Sequence, residues 1–243
     1  MTPEFLVPDW PAPARVRALV TTRHGGVSKG ECSSLNLALH VGDDAEAVRE
    51  NRQRLSAVLP AEPVWLNQVH GVTVAQADRA PQGVTADASM TRARGTVCAV
   101  MTADCLPVLL CDDSASVVAA AHAGWRGLAA GVIEATLEAM ACPAERVLAY
   151  LGPAIGPASF EVGADVRTVF VGRDPTAASA FAVRSEGKWL ADIYQLARMR
   201  LRAKGVNRIF GGEFDTFADS PRFFSYRRSP RAGRMASLIW LEF

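Results

Sequence analysis

Three short apolar runs follow one another in the middle of the chain, at residues 97–102, 108–111 and 117–122, separated by polar turns. Apolar runs of this length, bounded by turn signals, read as buried β-strands. Further strands are expected at 17–22, 64–69, 72–75, 147–151, 206–210 and 236–241. The pair 64–69 and 72–75 meets at a turn that holds His70 and Gly71. Between them lie helical patterns at 44–59, 128–140, 163–171 and 191–204. In the first of these, Ala47, Val48, Leu55 and Val58 share one face, and Pro60 follows its end. The last ends in basic residues and a glycine stop. Strands and helices mix without strict alternation, so the pattern predicts an α+β, mixed α/β layered sandwich over a doubly wound sheet. No G-x-G-x-x-G follows a strand and no Walker A pattern occurs, which leaves nucleotide cofactors of those two types without support.

Nothing in the pattern offers a seam, so residues 1–243 are expected to form one domain. Apolar residues make up 49%, enough for a sizeable core. The 26 basic and 25 acidic residues nearly cancel. No whole-chain attraction to nucleic acid or to a membrane surface follows from that balance. The opening MTPEFLVPDW has no basic region of the signal-peptide kind, and prolines break its apolar runs. No apolar stretch approaches the ~20 residues a spanning helix needs. A cytoplasmic protein, monomeric or weakly dimeric, is expected. Five cysteines, an odd count, argue against a disulfide framework.

Three segments carry chemistry: Asn67-Gln68-Val69-His70-Gly71, Thr102-Ala103-Asp104-Cys105-Leu106-Pro107, and Ala121-His122-Ala123-Gly124-Trp125-Arg126-Gly127. Each sets one metal-ligand type at the end of an expected strand beside a turn. A thiolate with two imidazoles suits Zn²⁺, with copper as the main competitor. Three protein ligands leave a fourth position for water or substrate, the catalytic arrangement. Cys111 is more simply a core thiol than a fourth ligand. The intervals, 35 residues from His70 to Cys105 and 17 on to His122, match no short zinc motif. A second use of the same atoms therefore stays open, with Cys105 as nucleophile and His122 as general base. After His122, a glycine-rich turn carrying Arg126 enters a helix whose free N–H groups favour an anion. The alternative is that these glycines only let the helix pack closely. The Arg-rich stretch from Phe223 to Arg234 reads first as solvated surface, and second as a contact for a small anionic or nucleoside-like substrate.

Together the segments resemble the YfiH family, variously described as laccase-domain (multicopper polyphenol oxidase-like) proteins, purine nucleoside phosphorylases and peptidoglycan editing factors. The resemblance runs through Thr21-Thr22-Arg23-His24-Gly25-Gly26, Ser34-Leu35-Asn36-Leu37, Gln68-Val69-His70-Gly71, Ala103-Asp104-Cys105-Leu106-Pro107, His122-Ala123-Gly124-Trp125-Arg126-Gly127, Phe160-Glu161-Val162-Gly163 and Tyr226-Arg227-Arg228 with Gly233-Arg234. It implies a layered αββα sandwich and a catalytic metal, usually zinc, on His70, Cys105 and His122. The implied activity is phosphorolysis of adenosine, inosine and methylthioadenosine, with adenosine deamination as a side activity. Purine nucleoside and phosphate are then the small-molecule partners. On that reading Arg126 meets phosphate, and Arg23, Ser34, Asn36, Gln68, Gly124 and Arg227 contact substrate. Asp104 or Glu161 then moves a proton. Two positions depart from the family pattern, where many members carry Cys and this chain has Ala158 and Asp215. The competing functions are a metal- or Cys-dependent amidase on a peptidoglycan precursor, a laccase-like polyphenol oxidase, and a non-catalytic zinc-stabilised binding module. Four histidines are too few for several copper centres.

Overall fold

The computed structural model describes residues 3–243. In chain order the elements are β1 (Phe5–Leu6), β2 (Val16–Thr21), α1 (Ala45–Ser56), β3 (Val74–Gln76), β4 (Ala88–Thr91), β5 (Val97–Thr102), β6 (Leu106–Asp112) and β7 (Val118–Ala123). They continue with α2 (Trp125–Ala130), α3 (Val132–Met140), β8 (Val147–Leu151), β9 (Glu161–Gly163), α4 (Ala164–Arg173), β10 (Phe181–Ser185), β11 (Lys188–Ala191), α5 (Ile193–Ala203), β12 (Arg208–Gly211) and β13 (Met235–Leu241). A four-stranded sheet has the order β1-β2-β13-β5, and a six-stranded sheet the order β12-β8-β6-β7-β4-β3. A small third sheet has the order β10-β11-β9.

Side-chain alternation builds the layers. Cys98 and Val100 of β5, with Ile239 and Leu241 of β13, meet Leu109 and Cys111 of β6 and Val118 and Ala120 of β7 between the two large sheets. The intervening residues point the other way. Val97, Ala99 and Met101 pack with Leu35, Leu37 and with Leu55 of α1. Leu106, Val108 and Leu110 pack with Ile133 and Met140 of α3 and Leu196 and Leu201 of α5. The sheets are thus covered on both faces, which is why the central strands are apolar at nearly every position. The result is the expected αββα sandwich, and Cys111 is a core thiol.

The expected elements depart from the structure where tertiary contacts outweigh local pattern. Residues 64–69 make only isolated bridges, Val64 to Cys98 and Asn67 to Thr85. The single helix expected over 128–140 is two, because Gly131 takes φ 110° and turns the chain between α2 and α3. β4, and the hairpin of β10 and β11 with its partner β9, carry too few apolar alternations to stand out in the sequence. At the N-terminus of α1, the Asp44 carboxylate accepts the Glu46 N–H at 3.0 Å, the capping that starts this helix.

Candidate metal centre

His70, Cys105 and His122 converge. One ligand atom from each lies within 4.8 Å of the others, and among the described residues no fourth His, Cys, Asp or Glu joins them. Cys105 sits in the tight link between β5 and β6, after Asp104 at φ 83°. His122 stands near the end of β7. His70 lies in the loop before β3 and itself takes the left-handed conformation, φ 60°. A non-glycine residue there needs external support.

That support comes from Asp87, which the sequence did not single out. Its fully buried carboxylate accepts the N–H groups of Val69 (3.2 Å), His70 (2.8 Å) and Gly71 (2.6 Å). It also accepts from His122 Nδ1 at 2.8 Å. One side chain therefore fixes the backbone of one candidate ligand and the ring of another. With Nδ1 occupied, Nε2 is the His122 nitrogen left for a metal, the carboxylate–histidine arrangement that orients metal ligands. Asp87 lies in no motif, between Ala86 and Ala88, and only its place in the fold reveals its role.

The donor set and spacing fit a tetrahedral ion. Bonds of about 2.0–2.3 Å place ligand atoms roughly 3.3–3.7 Å apart, and Cys105 Sγ lies 3.6 Å from His70 Nε2. Space is reserved around them. A Cβ on Gly124 would sit 2.8 Å from His70 Cδ2 and 2.9 Å from Cys105 Sγ. One on Gly127 would sit 3.0 Å from the Gly71 carbonyl oxygen, so these glycines let α2 close against the His70 loop. Burial pushes the Cys105 thiol up, but His122, by charge and hydrogen bond, and then His70 outweigh it and bring the pKa to about 6. Burial likewise lowers His122, while Cys105 and Asp87 together raise it to about 9. Cys105 is thus held as the thiolate, the form that binds metal. Cys98 and Cys111 are pushed to about 12, chiefly by burial.

The trio opens into a cavity of about 570 Å³. Gln68, Asp104, Arg126, Glu161 and Arg227 line it with the trio. Gln68 is fixed by a reciprocal pair with the Met101 backbone, donating from Nε2 and accepting at Oε1, both at 2.8 Å. The Asp104 carboxylate accepts from Thr216 Oγ1 (2.7 Å), Ser225 Oγ (2.9 Å) and the Arg227 N–H (2.7 Å), so it anchors the 225–227 turn. Arg227 then donates to the Glu161 carbonyl oxygen at 2.9 Å and lies over the Phe160 ring. Arg126 is exposed over the Trp125 ring, in the first turn of the six-residue α2.

Arg23, Ser34 and Asn36 do not line the cavity. Arg23 donates to the Ser33 and Ser220 carbonyls, Ser34 to the Arg23 carbonyl, and Asn36 to Ala38 and Asp43. Of the three, Asn36 braces the cavity wall, accepting the N–H of the lining residue Arg234 at 2.9 Å. Within the Arg-rich stretch, Phe223 and Phe224 are fully buried and Arg228 donates to the Thr216, Phe217 and Phe223 carbonyls, so much of it is framework and not solvated surface. At one departing position, Asp215 accepts from Ser159 Oγ at 2.6 Å and from two backbone N–H groups, tying two loops together.

Fold and site define an αββα sandwich protein with a His-Cys-His cluster that could hold a metal and that lines a cavity. The profile of the family described as multi-copper polyphenol oxidoreductase laccase matches residues 17–242, and the chain belongs to that family. It is 58% identical over 239 residues to a purine nucleoside phosphorylase of Pseudomonas aeruginosa, covering 98% of each chain. It is 54% identical over 241 residues to the purine nucleoside phosphorylase YfiH of Escherichia coli, covering 98% of this chain and 99% of that one. The crystal structure of a Neisseria meningitidis protein of the DUF152 family superposes with a TM-score of 0.95 at 52% identity, over 98% of this chain and 99% of that one. YlmD of Geobacillus stearothermophilus superposes at 0.87 with 34% identity, over 96% and 94%.

Proposed function

We propose that the protein is a purine nucleoside phosphorylase, converting adenosine, inosine or methylthioadenosine and phosphate to the free base and ribose 1-phosphate. Adenosine deamination is its side activity, and the resident ion is a single Zn²⁺ on His70, Cys105 and His122. The observation that carries the reading is one cavity of about 570 Å³ that joins the trio to Arg126, Arg227 and Arg234 and to the apolar side chains of Phe160, Val162, Val166 and Ile193. This volume falls in the range of small-molecule sites, and the lining offers cations for phosphate beside apolar faces for a purine. The names of the relatives support the same substrate class.

In phosphorolysis a phosphate oxygen forms a bond to ribose C1′ as the C1′–N9 bond breaks, and that bond's electron pair leaves with the purine. The arginines hold the attacking phosphate in line, and their charge offsets its approach to the nucleoside. The aromatic and aliphatic wall shields the departing base from water. Glu161 lines the cavity and pairs with Arg184 at 2.9 Å, and in this reading it exchanges a proton with the purine. Asp104, already accepting three hydrogen bonds, positions the Arg227 turn. An ion held by His70, Cys105 and His122 would supply Lewis-acid polarisation.

The test incubates purified, zinc-loaded protein with adenosine and phosphate. Adenine and ribose 1-phosphate in equal amounts support the reading. Their absence, alongside cleavage of a muramoyl-amide substrate, would replace it with the amidase reading, which uses the Cys105 thiolate beside His122. The open three-donor centre speaks against a purely structural zinc module. Only His70 and His122 of the four histidines join the cluster, a donor set unsuited to several copper centres.

A further inference from the structure

The cavity has two chemically different ends. His40, Gln68, Met101 and Arg234 come from the four-stranded-sheet side of the molecule, whereas Phe160, Val162, Val166 and Ile193 come from β9, α4 and α5 and the turn before them. The trio lies where the two layers meet. The apolar lining is concentrated at the second end, where Arg227 lies over the Phe160 ring, and Arg126 of α2 lies exposed over the Trp125 ring.

Arg234 differs from both. It is partly buried, immediately before β13, and its place is set by the backbone: its N–H donates to Asn36 Oδ1 at 2.9 Å. Asn36 is in turn locked by Asp43, Ala38 and Asn51. The preceding residue has to be glycine, since a Cβ on Gly233 would lie 2.8 Å from both Asn36 Cβ and the Phe224 ring. The guanidinium lies beside the Tyr226 ring, 5.7 Å from its centroid. Of its three nitrogens only Nη1 is engaged, by the carbonyls of Ala232 and Gly233, and Nε and Nη2 have no partner among the described residues. No carboxylate pairs with it among the described residues, and the nearby Asp104 carboxylate is already committed. The Cys105 thiolate and the Asp104 carboxylate act on it through space, but neither pairs with the guanidinium directly, and a partly desolvated arginine with free donors favours an anionic ligand. An adjacent Nε and Nη2 present the planar two-donor edge that matches a phosphate.

We infer that Arg234 is the principal phosphate-binding residue, and that phosphate and purine occupy opposite ends of the cavity with the trio between them. This rests on the phosphorylase reading for the identity of the anion. Asn36, Gly233 and the buried loop around them position Arg234 and do not touch the substrate.

The test measures inorganic phosphate binding by titration calorimetry on zinc-loaded protein, with metal content matched between variants. Arg234→Gln is expected to weaken phosphate binding about 30-fold, the loss of a charge-assisted pair. Arg234→Lys keeps the charge without the fork and should fall between Arg234→Gln and wild type. Arg126→Gln should cost less than Arg234→Gln, and Arg79→Gln, an equal change of charge at an exposed site outside the cavity, should change nothing. In turnover, Arg234→Gln should raise the phosphate KM while leaving the adenosine KM within about twofold. Wild-type phosphate affinity in Arg234→Gln, a larger loss in Arg126→Gln, or no phosphate binding by the wild type overturns the inference. Phosphate binding that depends on Arg234 without any ribose 1-phosphate formation would instead leave the anion site standing and remove the phosphorylase reading.

Discussion

His122 Nδ1 stands 2.8 Å from Asp87 Oδ1, and the same carboxylate gathers the N–H groups of Val69, His70 and Gly71. Asp87 lies 17 residues after His70 and 35 before His122, just ahead of β4, which pairs with the β7 strand that carries His122. Asp87→Asn keeps the shape but puts an NH₂ where four donors converge. Zinc affinity, measured by competition with a chromogenic chelator, should fall about 10- to 100-fold, as for other residues that orient metal-binding histidines. An affinity equal to wild type would show that the histidines are held by other means.

Cys105→Ser tests the trio directly. The protein should purify with roughly one zinc per chain, and the variant with little or none, because a neutral hydroxyl replaces the thiolate ligand. Elemental analysis of the two proteins prepared in parallel decides it. Zinc retained in full by the variant would sink the assignment.

Gly124→Ala separates room at the centre from backbone freedom. Gly124 has φ −59°, a conformation open to any residue, yet its added methyl would sit under 3 Å from both His70 and Cys105. Metal affinity and turnover should therefore drop by at least tenfold, while circular dichroism shows the same fold. Wild-type affinity would mean that the His70 loop shifts freely, contrary to its anchoring by Asp87.

Asp112 provides a test remote from the centre. Burial pushes its carboxyl up, but the hydroxyls of Ser114 and Ser116 and the N–H groups of Ser116 and Val117 outweigh it and hold the pKa below the usual range. A depressed folded pKa gives stability that is complete above the unfolded value of about 4 and is lost as pH falls through the folded one. Asp112→Asn should cost about 1–3 kcal/mol at pH 7 in urea unfolding. The difference from wild type should narrow as pH drops from 4 toward 2.5. A gap independent of pH would refute this account.

The layered class was legible in the sequence, where the apolar runs 97–102, 108–111 and 117–122 and the helical patterns mix without strict alternation, and the structure covers those strands on both faces. It also pointed to the candidate ligand types, since a thiolate and two imidazoles suit a small set of metals whatever brings them together. Tertiary structure decided the rest. Asp87 could not be found from spacing, because its four donors arrive from two separate segments and its neighbours are alanines. Arg23, Ser34 and Asn36 have polar side chains suited to a substrate, yet backbone groups consume their hydrogen bonds. The break at Gly131 and the short strands β4, β9, β10 and β11 follow from long-range pairing, which leaves little periodic trace in a run of three to five residues. A ligand's chemistry is local to its residue, but its geometry and its partners are properties of the packed chain.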